Sequence, residues 1–273
     1  MTRRKLHTLH HPPARHNGHP PLVFVHGGYV HAGCWEANFL PHFRNLGYHC
    51  HAINLSGHGA SEGGEDLDRY DLDHYAADVA QLVADLPAPP VLIGHSMGAL
   101  VLQRYLEKAS AAALIMIAPV PTTGLWGCGV QMARTQPDFM VEAFRAVEGK
   151  YTDNTIRVMR EVYFSPDVTH EQFAAFQPLV QDESLTAVLE MMALAWRPPK
   201  SNPKIPALVI GGELDALFPA NMLHFTACGW NAETCVIPRA GHMLIMEPQW
   251  AAAATKIDHW LDRRLGTKQH AAA

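Results

Sequence analysis

The sequence predicts an α/β fold, in which a mostly parallel sheet is covered by helices on both faces. Short apolar runs alternate along the chain with longer segments of helical periodicity, and such alternation builds parallel sheets through right-handed crossovers. A Gly-His-Ser-Met-Gly pentapeptide at 94–98 lies at one of these alternations, between the apolar run 90–93 and a helical pattern. The length of 273 residues is enough for one large domain of this class.

The first half of the chain supplies three predicted strands and three predicted helices. The apolar run 22–25 predicts a strand that ends at His26. The segment 34–46 predicts a helix, because aromatic residues lie near one face and Gly47 can end it. In chain order, the elements expected next are the strand 48–53, the amphipathic helix 73–86, the strand 90–93 and the helix 97–108.

The alternation is interrupted by a segment, 119–203, whose patterns are helical and contain no clear strand. It lies between a strand predicted at 113–118 and another at 207–210. We therefore expect a helical cap or lid at 119–203, inserted into an α/β core formed by 1–118 and 204–273. The predicted cap helices are 132–147, 155–163, 170–180 and 184–196, and the core then ends with a strand at 234–237 and a helix opened by Pro248.

Composition and charge exclude several classes of function. A formal net charge of −5 gives no reason to expect nucleic acid as a partner, and no integral membrane segment is evident. No apolar stretch follows the basic opening of the chain, so we expect no secretory signal and a cytoplasmic protein. The five cysteines form no Cys-x-x-Cys pair, which argues against a disulfide framework or a zinc knuckle.

Histidine is frequent, with 18 residues, and several histidines cluster near the N-terminus. No helical or strand scaffold with ligand spacing is predicted for them. We therefore expect a surface segment there and no metal site. The clustered residues are His7, His10, His11, His16 and His19.

The pentapeptide at 94–98 indicates a serine nucleophile. A serine on a sharp turn from a strand into a helix has its hydroxyl exposed above the sheet, beside the amides of the helix N-terminus. Glycines at positions 94 and 98 remove side chains that such a tight turn could not accommodate. Ser96 is therefore the candidate nucleophile, whereas the neighbouring His95 is expected to be structural.

A serine hydroxyl needs a base to take its proton and an acid to orient that base. Two loops offer both, because Asp215 follows the strand predicted at 207–210 and His242 follows the next one. The carboxyl ends of parallel strands meet at one edge of the sheet, where ligands bind. Glu213 lies in the same loop as Asp215 and remains an alternative acid.

Acyl transfer also needs backbone donors for the oxyanion of the tetrahedral intermediate. The N–H group of Met97, at the start of the helix after Ser96, is one candidate. The N–H group of Gly28, in the His-Gly-Gly turn after the first predicted strand, is the second. Tyr29 is a less favoured contributor.

These motifs together resemble the α/β-hydrolase fold superfamily. The resemblance is highly specific for the fold and extends from about residue 22 to the closing helix. The family usually has two strands before the His-Gly turn, and about twenty His- and Pro-rich residues would have to supply them here. The resemblance is carried by 26–28, 55–61, 94–98, 211–215 with Pro219, and 241–242.

The resemblance implies a catalytic triad of Ser96 as nucleophile, His242 as base and Asp215 as acid. It implies an oxyanion hole formed by the amides of Gly28 and Met97, and a pocket covered by the helical cap. A serine rather than an aspartate at the centre of the pentapeptide disfavours dehalogenase and epoxide-hydrolase chemistry.

The expected function is hydrolysis of a carboxylic ester through an acyl-enzyme, by a serine carboxylesterase or lipase-like enzyme that needs no cofactor and no metal. The same groups could serve thioester, lactone or amide hydrolysis, or cleavage of carbon–carbon bonds. A ligand-binding protein of low turnover also remains open. The expected partner is a small ester or acyl substrate, and the oligomeric state is unknown. The candidate pocket residues are Tyr29, Phe139, Met140, Phe144, Met191, Trp196 and Leu217.

Overall fold

The computed structural model describes residues 3–147, 150, 152–193 and 197–266. Within them, one sheet has the strand order β1–β3–β2–β4–β5–β6–β7. β1 is antiparallel to β3, and the other neighbouring strands are parallel. The strands are β1 (Thr8–His11), β2 (Leu22–Val25), β3 (Cys50–Ile53), β4 (Val91–His95), β5 (Ala113–Ile117), β6 (Ala207–Gly212) and β7 (Glu233–Ile237).

Helices cover both faces of the sheet, as predicted. Alternate residues of a strand point to opposite faces. Leu22 and Phe24 accordingly join a buried cluster with α1 and α10, whereas Val23 and Val25 join a second cluster with α2, α3 and α9. These helices are α1 (Phe39–Asn45), α2 (Leu72–Val83), α3 (Met97–Leu106), α9 (Leu223–Trp230) and α10 (Trp250–Leu265).

Between β5 and β6 the described residues contain α-helices and no strand of the sheet. Whether 119–203 forms a separate cap on a core of 1–118 and 204–273 remains a prediction. No helix in the described part of the chain combines the length and the apolar character needed to cross a bilayer. The helices between β5 and β6 are α4 (Trp126–Thr135), α5 (Pro137–Val147), α6 (Asp153–Tyr163), α7 (His170–Phe176) and α8 (Leu185–Met192).

Three predicted helices are divided, each near a proline. The one predicted at 170–180 becomes α7 and a 3-10 turn that contains Pro178. In place of one helix at 34–46, the chain forms a 3-10 turn and then α1, with Pro41 in the first turn of α1. There its missing N–H group costs no helical hydrogen bond. The helix predicted at 132–147 is divided for the same reason, because Pro137 is the first residue of α5.

The N-terminal region differs from the expectation in two ways. Its described part supplies one strand before β2, where the resemblance implied two. That strand, β1, contains His10 and His11, so the expectation that no strand scaffold holds these histidines was wrong. β1 lies at the edge of the sheet and pairs through all four of its residues with β3.

Candidate active site

The turn between β4 and α3 holds Ser96 in a backbone conformation that residues with a side chain rarely adopt, with φ 52° and ψ −118°. A Cβ at Gly98 would lie 2.4 Å from the carbonyl oxygens of Val25 and His26. A Cβ at Gly94 would lie 2.5 Å from the backbone of α3. Glycine is therefore required on both sides of the serine. The Ser96 hydroxyl does not cap α3, and the residue is half-buried.

The loops after β6 and β7 bring a carboxylate and an imidazole to this turn. His242 Nε2 lies 3.1 Å from Ser96 Oγ, and His242 Nδ1 lies 2.9 Å from Asp215 Oδ2. Both His242 and Asp215 are buried. An ionised carboxylate only accepts hydrogen bonds, so Nδ1 carries the hydrogen and donates to Asp215. The Nε2 lone pair then accepts from the Ser96 hydroxyl.

Backbone donors orient the Asp215 carboxylate. Its Oδ1 accepts from the N–H groups of Leu217 at 2.9 Å and Phe218 at 2.8 Å, which leaves Oδ2 for the imidazole. Glu213 is exposed, and its carboxylate accepts instead from the N–H group of Arg239 at 2.8 Å. The geometry therefore puts Asp215, rather than Glu213, beside the imidazole.

Three rings surround the imidazole of His242. The centroids of His95, Phe218 and Tyr163 lie 5.0, 5.0 and 5.8 Å from it. His95 Nε2 also donates to the backbone carbonyl of His242 at 3.0 Å. Burial, and then the neighbouring His242, lower the pKa of His95 to about 3, so its ring is neutral. His95 thus supports the loop of His242 through a backbone contact.

Glu247 ties this loop to the helices between β5 and β6. Its buried carboxylate accepts from the N–H groups of Gly241, at 3.0 and 3.1 Å, and Ser165, at 3.2 Å. Burial raises the pKa of Glu247. Met243 N–H donates to the carbonyl of Tyr163, the last residue of α6, at 2.9 Å. The position of the imidazole therefore depends on α6 as well as on β7.

His26 fixes the geometry of the His-Gly-Gly turn. Its Nδ1 donates to the Gly27 carbonyl at 2.8 Å, and its Nε2 accepts from the Leu55 N–H group at 3.2 Å. Burial and neighbouring histidines lower the pKa of His26 well below its usual value, so the ring keeps the one donor and one acceptor that these bonds need. Because the C=O and N–H of a trans peptide point in opposite directions, the bond to Gly27 directs the Gly28 N–H to the other side of the turn.

The other candidate oxyanion donor, the N–H group of Met97, belongs to the first residue of α3. The N–H groups in the first turn of a helix have no acceptor within the helix, so they can serve a ligand. A Cβ on Gly28 would lie 3.8 Å from Met97 Sδ, which puts the two candidate residues next to each other.

The chain between α7 and α8 packs on the His-Gly-Gly turn through 180–184, here called the return segment. Val180 forms an isolated β-bridge with Val30. The Gln181 N–H group donates to the carbonyl of Tyr29 at 2.9 Å. The turn is therefore held by a segment that follows it by about 150 residues.

Glu183 is the buried anchor of the return segment. Its Oε2 lies 3.1 Å from His58 Nε2, and its Oε1 accepts from the Tyr75 hydroxyl and the Ser184 N–H group, each at 2.8 Å. Burial alone would lower the pKa of His58, but the hydrogen bond and charge of Glu183 outweigh it and raise the pKa. A Cβ on Gly28 would lie 3.4 Å from Glu183 Oε2, so the carboxylate packs against the candidate oxyanion turn.

Three of the predicted pocket residues lie near the three catalytic candidates. Tyr29 follows Gly28 and is 37% exposed. Leu217 is bonded to Asp215 through its N–H group. Phe139 packs at a centroid distance of 6.2 Å against Tyr163, which in turn contacts His242. Their role as pocket lining remains a prediction.

Within the described residues, no hydrogen bond joins Met140 or Met191 to the three catalytic candidates. Met140 is half-buried on α5, and Met191 is buried in the cluster that contains Met97. The side chain of Phe144 and the whole of Trp196 lie outside the described residues.

Four residues around the site were not predicted from the sequence. Phe218 had a usable signal, since it lies in the same loop as Asp215. The other three come from distant segments that no spacing rule connects to the triad. These residues are Tyr163, Glu183, Phe218 and Glu247.

Comparison with known proteins connects this geometry to a family. A family model described as "Alpha/beta hydrolase family" matches residues 22–254. A pyrethroid hydrolase of Sphingobium wenxiniae is 34% identical over 77 residues, which are 28% of this chain and only 27% of that protein. The pimeloyl-[acyl-carrier protein] methyl ester esterase of Pectobacterium carotovorum is 27% identical over 250 residues, with 82% of this chain and 88% of that protein covered.

Among solved structures, a thermophilic esterase from Thermogutta terrifontis is similar, with a TM-score of 0.71 and 21% identity. The match covers 95% of this chain and 94% of that one. At this level of identity the likeness shows the fold alone.

Proposed function

This chain belongs to the alpha/beta hydrolase family, and from that premise we propose that it hydrolyses carboxylic esters through an acyl-enzyme formed on Ser96. One observation carries the proposal. The hydroxyl of Ser96, the imidazole of His242 and the carboxylate of Asp215 are joined by hydrogen bonds of 3.1 and 2.9 Å. This is the arrangement that makes a serine hydroxyl nucleophilic.

In the proposed reaction, His242 Nε2 takes the proton of Ser96 as Oγ attacks the ester carbonyl. Asp215 keeps the Nδ1 hydrogen in place and stabilises the imidazolium that forms. His242 then protonates the departing alkoxide. A water molecule attacks the acyl-enzyme with the same base, which releases the acid and restores the serine.

The oxyanion of each tetrahedral intermediate would be bound by the N–H groups of Gly28 and Met97. The bond from His26 to the Gly27 carbonyl supports this assignment, because it orients the Gly28 N–H group before substrate arrives. Donors that are already oriented need no reorganisation in the transition state. The return segment would contribute by holding the His-Gly-Gly turn in place.

An ester with a small alcohol group is the proposed substrate class. The relative matched over 88% of its length is named a methyl ester esterase, which supports this choice. We propose that the acyl part lies among Tyr29, Phe139 and Leu217, beneath a cap formed by 119–203. Thioesters, lactones, amides and carbon–carbon bonds remain alternatives, because the same groups could act on each of them.

The proposal is tested by measuring hydrolysis of short-chain p-nitrophenyl esters by the wild type, Ser96→Ala and the matched control Ser110→Ala. Ser110 is an exposed serine outside the site. We expect Ser96→Ala to lose at least about 10⁴-fold in kcat and the control to keep its activity. A serine-directed phosphonate is expected to add mass at Ser96 alone.

Equal rates for wild type and Ser96→Ala, or labelling at another residue, would refute the nucleophile. If both proteins are inactive on a broad ester panel and still bind the esters, the low-turnover binding protein replaces the esterase. The values of kcat/KM for methyl esters, thioesters, lactones and amides in the same panel then rank the substrate classes.

A further inference from the structure

We propose that His10, His49 and His51 form a binding site for a divalent transition-metal cation, with Zn²⁺ as the expected ion. The site lies at the β1 edge of the sheet, outside the loops that carry the triad. In the described part of the chain, the ligand nitrogens of the three rings lie within 4.8 Å of one another. Imidazole nitrogen is a preferred ligand of Zn²⁺, Ni²⁺ and Cu²⁺.

Strand geometry explains why the three side chains converge. His10 in β1 is directly opposite His51 in β3, and directly opposed residues of an antiparallel pair share a face of the sheet. His49 precedes His51 by two positions, and side chains two apart in an extended chain also share a face. Pairing β1 with β3 therefore brings all three imidazoles together on one surface.

The distances are close to those that a metal requires. Two nitrogens bound tetrahedrally to Zn²⁺ lie about 3.3 Å apart, given Zn–N bonds of about 2.0–2.1 Å. His10 Nε2 and His49 Nε2 are 2.7 Å apart, and the third nitrogen is within 4.8 Å of the others. The ring centroids are separated by 4.7 to 5.1 Å. Side-chain rotations that move the ring nitrogens by about 1 to 2 Å would bring all three to bonding distance of one ion. The strand register would not change.

Three other histidines of the N-terminal region have partners of their own, which separates them from the proposed ligands. His7 Nδ1 bonds with the side chain of Asn54 at 3.0 Å. His19 Nε2 lies 3.2 Å from an Asp262 oxygen, and His11 faces Glu36. The proposed ligands are half-buried or, for His10, exposed. An ion can therefore enter from solvent, and its fourth position is left to water.

An exposed cysteine–histidine pair elsewhere in the described part of the chain must be controlled for. Cys228 Sγ lies 3.1 Å from His224 Nε2 on α9, and Cys228 is exposed. This pair has two donor groups against three, so it is expected to bind Zn²⁺ more weakly. The variant Cys228→Ser removes it without touching β1 or β3.

The test measures Zn²⁺ binding to protein without a polyhistidine tag, by calorimetry and by metal analysis after dialysis. The proteins compared are the wild type, His10→Gln, His51→Gln, Cys228→Ser and the control His11→Gln, which changes a histidine of the same strand. We expect one tight site in the wild type, in His11→Gln and in Cys228→Ser. Loss of His10 or His51 should weaken it at least about tenfold, since even the loss of a group that only orients a ligand typically weakens metal binding by that factor.

Two further readouts do not depend on catalysis. Co²⁺ in the wild type should give the visible absorption of a four-coordinate site with three nitrogen ligands, and His51→Gln should lose it. Zn²⁺ at about a hundredfold excess over its Kd should raise Tm by about 5 °C or more in the wild type and His11→Gln. Ester hydrolysis should be the same in all variants, since none of them touches the catalytic groups.

The proposal is overturned if the wild type binds no Zn²⁺ at tens of micromolar. It is equally overturned if His10→Gln and His51→Gln bind as the wild type does, or if only Cys228→Ser loses the ion. Circular dichroism of each variant excludes unfolding as the cause of lost binding.

Discussion

Replacing Glu183 by alanine is expected to destabilise the folded protein severely, although this residue has no direct role in the proposed chemistry. The side chains of Glu183 and His58 are both fully buried. The carboxylate accepts hydrogen bonds from the imidazole of His58, the hydroxyl of Tyr75 and the N–H group of Ser184. Alanine would leave all three donors without this partner.

The size of the effect follows from the burial. Removal of one member of a buried ion pair costs about 3–5 kcal/mol, because the partner must then either stay charged without a counterion or give up its proton. The Tyr75 hydroxyl, left without an acceptor, would account for about 1–3 kcal/mol of that total. At about 2–4 °C per kcal/mol for a chain of this size, Tm should fall by roughly 10 °C. The exposed pair of Glu161 with Arg157 offers a control, because Glu161→Ala should cost less than about 1 kcal/mol.

The effect should depend on pH in a defined direction. The pKa of His58 is raised above its usual 6.5 in the folded protein. A raised pKa contributes stability that is fully present below the unfolded value and is lost as pH rises through the folded value. The difference in unfolding free energy between wild type and Glu183→Ala should therefore be largest below pH 6.5 and should narrow at higher pH.

Thermal or urea unfolding followed by circular dichroism measures both quantities, with Glu183→Gln as the variant that keeps shape and hydrogen bonding. A loss below about 1 kcal/mol for Glu183→Ala, comparable to that of Glu161→Ala, would refute the anchoring role. So would a difference that grows as pH rises.

Two further predictions concern the site itself. Asp215→Asn should lower kcat by about 10⁴-fold, because an amide can donate to Nδ1 of His242 and favour the wrong tautomer of the imidazole. Glu213→Gln should have little effect. Ester hydrolysis assays of the two variants decide between the two carboxylates. Gly98→Ala should be strongly destabilised, since its Cβ would lie 2.4 Å from two backbone oxygens, whereas Gly129→Ala, with open space around it, should gain about 0.5–1 kcal/mol. A Gly98→Ala protein with the Tm of the wild type would contradict the steric argument.

The sheet and the approach of Ser96, Asp215 and His242 could be predicted because local rules determine them. A parallel strand is recognised by its apolar run, and its carboxyl end marks where a loop residue will lie. The turn at 94–98 is similarly local, since glycine is needed within two residues of the serine.

The contacts that hold these residues in place could not be predicted in this way. Glu183 is 125 positions from His58, and the carboxylate of Glu247 reaches back 82 positions to Ser165. Such pairs depend on how distant segments pack, and no periodicity of the sequence predicts them. α9 was missed because its short sequence contains Gly229 and has no clear apolar side.

For a related reason, β1 was not predicted. Its histidines favour no strand by themselves, and the strand forms because β3 offers an unpaired edge. An edge strand is stabilised by its neighbour more than by its own composition.

The order of these groups along the chain has a consequence during synthesis. The hydroxyl of Ser96 and the imidazole of His242 are separated by 146 positions. The ribosome therefore releases the serine long before the imidazole that would activate it in the proposed mechanism. A nascent chain that ends between the two would carry an unactivated alcohol, and so would a proteolytic fragment that lacks β7 and the loop after it.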